Sequence, residues 1–128
     1  MQKQLQQYFG CKVKIAEYKN KLQLPIFMTM RDIMMVEIYG VNFAIIDVVK
    51  EMELSVAAMK KQKAKYEEAL QCPAAYEVAL NSVSMRNVLV KSGVPFVDLP
   101  GNVFLPFMGI VLLDAYLKQL VKADKMMP

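Results

Sequence analysis

Two acidic residues pose the sharpest chemical question in this sequence. Asp47 stands inside one apolar, β-branched run and Glu77 inside the next, so a sheet would place two carboxylates on successive strands. Such acids suit a hard divalent cation, and a lysine two residues past the second acid would help activate water for phosphodiester cleavage. That lysine is missing, because the residue two past Glu77 is Ala79. The chain also has no histidine, which removes the commonest general base and metal ligand, and with it the Ser-His and Cys-His nucleophile pairs. Asp47 and Glu77 are therefore read first as rim or ion-pair residues of a sheet, with a degenerate nuclease as the alternative. No catalytic residue, metal ligand or cofactor is assigned.

The other reactive side chains yield to simpler readings. Lys60, Lys61, Lys63 and Lys65 could track phosphates. However, Glu67 follows Lys63 by four residues, so this stretch reads as the solvated face of a helix with local ion pairs. Arg31 and Arg86 are the only arginines, and DNA contact by this chain is expected to be weak and non-specific. The 11 methionines are scattered apart from Met28/Met30, Met34/Met35 and the terminal Met126/Met127, as adaptable core fillers would be. Cys11 and Cys72 are far apart and lack a CxxC partner, so free thiols are expected. Gly40, Gly93, Gly101 and Gly109 are isolated, which suits turns and not a phosphate loop.

A chain of 128 residues, 55% hydrophobic and 22% charged, suits one domain with one core. The net charge of +4 permits an anionic partner without demanding one. The longest apolar run, Val103–Leu113, is far short of the roughly 20 residues of a membrane helix. Met1–Gln7 is polar and has no apolar leader segment. The expectation is a cytoplasmic protein with no membrane partner.

Period and turn chemistry define the elements that must position these residues. The chain is organised around a hairpin, Val94–Leu99 and Asn102–Pro106 flanking a Pro100-Gly101-Asn102 turn. Ahead of it come a short helix over Gln2–Phe9 closed by Gly10, an edge strand over Lys12–Ile15, and an apolar segment, Leu24–Met30, packed under the sheet. A second hairpin joins Asp32–Tyr39 to Phe43–Val49 through Gly40-Val41-Asn42. Its strands are apolar at nearly every residue, which predicts a sheet covered on both faces. Ser55 caps a helix reaching about Gln71, with Val56, Met59, Tyr66 and Leu70 within an arc of about 80°. Pro73 closes that helix, and Ala74–Leu80 is the next strand. Ser82 or Ser84 caps a short helix that ends at Gly93. Beyond Pro106, Ile110, Leu113, Leu117 and Leu120 recur at helical spacing and predict an amphipathic C-terminal helix from about Gly109 to Ala123.

This order predicts a single small α+β domain. Its sheet is mixed and mostly antiparallel, with two hairpins, crossover helices and the amphipathic C-terminal helix. The succession of hairpin, helix, strand and helix also suits a restriction-endonuclease-like core.

Val94-Pro95-Phe96, Gly101-Asn102 and Val103-Phe104-Leu105-Pro106-Phe107-Met108-Gly109 follow a distinctive pattern. It is Ile/Val-Pro-Phe, a Gly-Asn or Gly-Gln turn, then Val/Ile-Phe/Tyr-Leu-Pro-Phe-Met/Leu-Gly. In this pattern, and in Leu24-Pro25-Ile26-Phe27, the chain resembles the N-terminal domain of bacterial transcriptional regulators that carry a MarR-like winged-helix domain. The resemblance covers residues 1–125 in order. It implies one regulatory α/β domain over 1–125, with 126–128 opening a linker to a winged-helix domain that this sequence does not contain. It implies a sensory or oligomerisation role, and it supplies no catalytic or ligand residues. On the predicted C-terminal helix the apolar stripe is too wide for one-sided burial in a small domain. Phe104, Phe107, Ile110, Leu113, Leu117 and Leu120 are therefore expected either to pack across the sheet or to form a surface for self-association, as in a homodimer, or for the downstream domain.

Overall fold

The computed structural model describes residues 6, 13–18, 24–51, 53–80, 82–98 and 101–113. In chain order the elements are β1 (Lys14–Glu17), a short helix α1 (Ile26–Thr29), β2 (Ile33–Ile38), β3 (Val41–Asp47), α2 (Val56–Leu70), β4 (Ala74–Glu77), α3 (Val83–Lys91), β5 (Phe96–Asp98), β6 (Asn102–Leu105) and β7 (Ile110–Leu113). The seven strands form one sheet in sequence order. β3, β4 and β5 run parallel, because α2 and α3 carry the chain back between them. Every other neighbouring pair is antiparallel. The mixed, mostly antiparallel α+β architecture is the one the pattern predicts.

Local chemistry explains the joints. Tyr39 and Gly40 both have positive φ, 52° and 77°, as a two-residue hairpin turn that follows strand twist requires. The turn comes slightly earlier than expected, and Val41 and Asn42 belong to β3. The Ser55 hydroxyl accepts the Ala58 N–H at 3.1 Å, and Gln71 closes α2 in the left-handed region. At α3 the cap is Ser82, whose hydroxyl accepts the Met85 N–H at 3.1 Å.

Strand alternation sorts the core into two layers. Ile33, Ala44, Ile46, Tyr76 and Phe96 share a cluster with Met59 and Tyr66 of α2 and Leu89 of α3. Val36, Phe43, Ile45, Ala75, Val97 and Leu105 form a second cluster on the opposite face. The near-continuous apolarity of β2 and β3 thus reflects burial on both sides.

Three expectations need correction. No helix begins at Gly109: residues 110–113 are strand β7, paired antiparallel with β6. A 3₁₀ turn over Pro106–Met108 and Gly109 at φ 72° reverse the chain into it. A run that is apolar at every position satisfies a helical and an extended period equally, and here pairing with β6 decides between them. The segment Leu24–Met30 is only half under the sheet. Leu24 and Met28 are buried, while Ile26 and Met30 are over 80% exposed, because one helical turn at α1 directs them outward. The strand expected over Ala74–Leu80 ends at Glu77, with one further backbone hydrogen bond from the Val78 N–H to the Val97 carbonyl at 3.0 Å. The helix expected over Gln2–Phe9 lies outside the described residues apart from Gln6, which is helical. The expected helix beyond residue 113 also lies outside them.

Candidate functional site

The carboxyl ends of the parallel strands gather the acidic residues, at the edge where open α/β sheets usually bind ligands. Asp47 ends β3 and Glu77 ends β4, and the two are direct register partners. Their strand predecessors, Ile46 and Tyr76, face the helices, so alternation sends both carboxylates to the opposite face. Asp98 ends β5 two residues after Phe96, on the helix side. The three acids at this edge therefore do not converge. Asp47 Oδ1 accepts the Val49 N–H at 2.9 Å, and Asp98 Oδ2 accepts the Leu80 N–H at 3.3 Å. Both thereby hold the chain as it leaves its strand. Burial pushes the Glu77 carboxyl above the usual range, and the charge of Asp47 adds to the shift. Among the described residues no group of three or more Asp, Glu or Cys side chains is placed to hold a metal ion.

Beside Asp47 opens a cleft of about 500 Å³ lined by Met30, Arg31, Asp32, Asp47, Lys50 and Glu51. Its guanidinium is already committed. Arg31 Nε and Nη2 donate to the two Glu51 oxygens at 2.7 and 2.6 Å. Nη1 donates to Gln62 Oε1 at 2.5 Å and to the Tyr66 hydroxyl at 3.3 Å. Burial works against the charge of Arg31, but the hydrogen bonds it donates to Glu51 and Tyr66, with the charges of both, together outweigh it, and the guanidinium is held above its ordinary value. This fork fastens the entry to β2 onto α2. Sequence reasoning missed the fork, since its partners lie 20 to 35 residues away and no local spacing announces them. Arg86 was equally silent. It is only 7% exposed on α3, and its Nε has no hydrogen-bond partner among the described residues.

The remaining candidates separate clearly. Ala79, where the water-activating lysine would stand, is exposed. Lys63 and Glu67 pair at 2.8 Å, and Lys60, Lys61 and Lys65 are exposed, as a solvated helix face requires. Cys72 is a free, half-buried thiol, and burial raises its pKa. Cys11 lies outside the described residues. Met28 and Met59 are core residues while Met30 is exposed, so the methionines are not uniformly core fillers.

Phe104 is 6% exposed, its ring 5.7 Å from that of Phe96, and it belongs to the core. Phe107 is half-buried, with its ring 5.1 Å from Phe43. Ile110 packs with the cluster away from the helices and Leu113 with the helix-side cluster. These two therefore face opposite ways and share no stripe. Leu117 and Leu120 lie outside the described residues.

Among the described residues no helix is long and apolar enough to cross a membrane. No family model, curated protein or solved structure matches the chain.

Proposed function

We propose that this domain is a non-catalytic regulatory module, the sensory or oligomerisation part of a bacterial, cytoplasmic transcriptional regulator whose DNA-reading winged helix lies on a downstream domain. The observation that carries the non-catalytic reading is the state of the acidic edge. Asp47 and Glu77 stand side by side, but Ala79 replaces the water-activating lysine and Arg31 is spent on Glu51, Gln62 and Tyr66. The regulatory reading draws on the resemblance, whose residues Val94, Phe96, Val103, Phe104 and Leu105 are all buried here. A pattern carried by core residues marks a domain type and not a reactive centre.

Two experiments test the two halves. Incubation with supercoiled and linear DNA plus magnesium or manganese is expected to leave the DNA intact. Cleavage that Asp47→Ala abolishes would establish the degenerate-nuclease alternative instead. The reading frame beyond Pro128 is expected to continue into a winged-helix pattern, and the longer product to bind DNA upstream of its own gene. Residues 1–128 alone are expected to bind weakly and lose that binding in salt. A stop codon after Pro128, or tight sequence-selective binding by residues 1–128, would overturn the regulatory reading.

A further inference from the structure

The two outer strands of the sheet differ in how they meet solvent. β1 carries Lys14 and Glu17, both exposed, the charged design that discourages another strand from pairing. β7 reads Ile110-Val111-Leu112-Leu113 and has no charge, no proline and no glycine. Among the described residues it pairs only with β6, and Val111 is 48% exposed. An uncharged outer strand of this kind is a template for strand addition.

We propose that β7 is the seam of a homodimer, in which two copies pair β7 with β7 antiparallel about a two-fold axis through Val111. This rests on the oligomerisation arm of the proposed function. Charge argues for a second copy, since two copies of a strand that carries no charge meet without setting like charges against each other across the seam. Of the two outer strands β7 meets that condition and β1 does not. Register argues for the axis. A two-fold axis perpendicular to the sheet keeps the helix side of both copies on one side, so paired residues must share a face. The axis must then pass through a residue and not between two. Ile110 faces away from the helices and Leu113 toward them, so alternation puts Val111 on the helix side. Centring the axis on Val111 covers this exposed side chain with its own symmetry mate and extends the sheet across both copies.

Sedimentation of the 128-residue chain up to millimolar concentration tests the pairing. A concentration-dependent dimer is expected. Val111→Lys sets two ammonium groups side by side and is expected to weaken dimerisation at least about tenfold while the fold persists. A second measurement removes dependence on that variant's folding. With Cys11 and Cys72 changed to Ser, Val111→Cys is expected to cross-link under copper–phenanthroline oxidation and Lys14→Cys is not. A wild-type chain that stays monomeric overturns the proposal. So does a folded Val111→Lys variant that dimerises as the wild type does, or cross-linking that is absent at 111 or equal at both positions. A monomer would leave the winged-helix test of the regulatory reading untouched, so the two can fail separately.

Discussion

β4 lies between two parallel neighbours, with Ala74, Ala75 and Tyr76 fully buried. The Tyr76 hydroxyl donates to the Met59 carbonyl of α2 at 2.8 Å. Among the described residues β7 has one neighbour, and Ile110 and Leu113 are half-buried beside the exposed Val111. Two ladders and a helix fix the middle of the sheet, whereas one ladder and a 3₁₀ turn fix its end. Local stability follows contact of this kind, so the middle should open only with the whole domain and the end should open before it.

The largest effect that would break this comparison comes from matched truncations. Tyr76→Ala removes a fully buried ring and its hydrogen bond, and is expected to cost about 3–5 kcal/mol. Ile110→Ala, at a half-buried position on one ladder, is expected to cost about 1–2 kcal/mol. Urea unfolding of the two variants measures both costs. Equal costs would mean that β7 is held as firmly as β4.

A smaller and more local effect is expected at Gly109. Its φ of 72° is one that side-chain-bearing residues rarely adopt, and a Cβ placed there would meet no atom of the described residues within 4 Å. The cost of Gly109→Ala is therefore conformational and not steric, about 1–2 kcal/mol. Because Gly109 hands the chain into β7, amide exchange should quicken across 110–113 and stay unchanged in β4. Uniform quickening across the sheet would show that its end and its middle open together.

The same contrast explains what was legible in the sequence. In the middle, each element carries its own punctuation. Ser55 and Ser82 cap their helices, Gly40 marks a tight turn that lies at Tyr39-Gly40 and so starts one residue before the expected Gly40-Val41-Asn42, and Met59 and Tyr66 recur on one helical face. The α+β class and the order of strands and crossovers follow from such local signals. At the end, Ile110–Leu113 is apolar throughout, so period alone could not separate strand from helix, and the helical stripe inferred from it does not exist over those residues. The acidic edge was legible in residue type but not in direction. Both Asp47 and Glu77 were found, yet only the register shows them adjacent and the Arg31 fork tied up nearby. A guanidinium whose partners lie in the β3–α2 connection and on α2 leaves no trace in local spacing.

The smallest expected effect lies at the middle of the sheet, on its open carboxyl edge, and it is a pH dependence. Burial, joined by the charge of Asp47, holds the Glu77 carboxyl above its ordinary pKa. The folded state then binds a proton more readily than the unfolded chain, so folding gains relative stability in acid and loses it as pH rises through the raised value. At neutral pH the Glu77 carboxyl is therefore a mild burden on the domain. Glu77→Gln keeps a polar side chain of similar shape and never ionises. It is expected to melt slightly higher than the wild type at pH 7, with the gap closing as pH falls below about 4, where the unfolded carboxyl is protonated as well. Asp47→Asn removes only the second cause, so its gain should be smaller and follow the same direction. Melting temperatures of the three proteins across that pH range decide the matter. A Glu77→Gln variant that is less stable than the wild type at pH 7 would mean that the carboxylate has a stabilising partner at this edge. A gap independent of pH would mean that its ionisation is not what sets the difference.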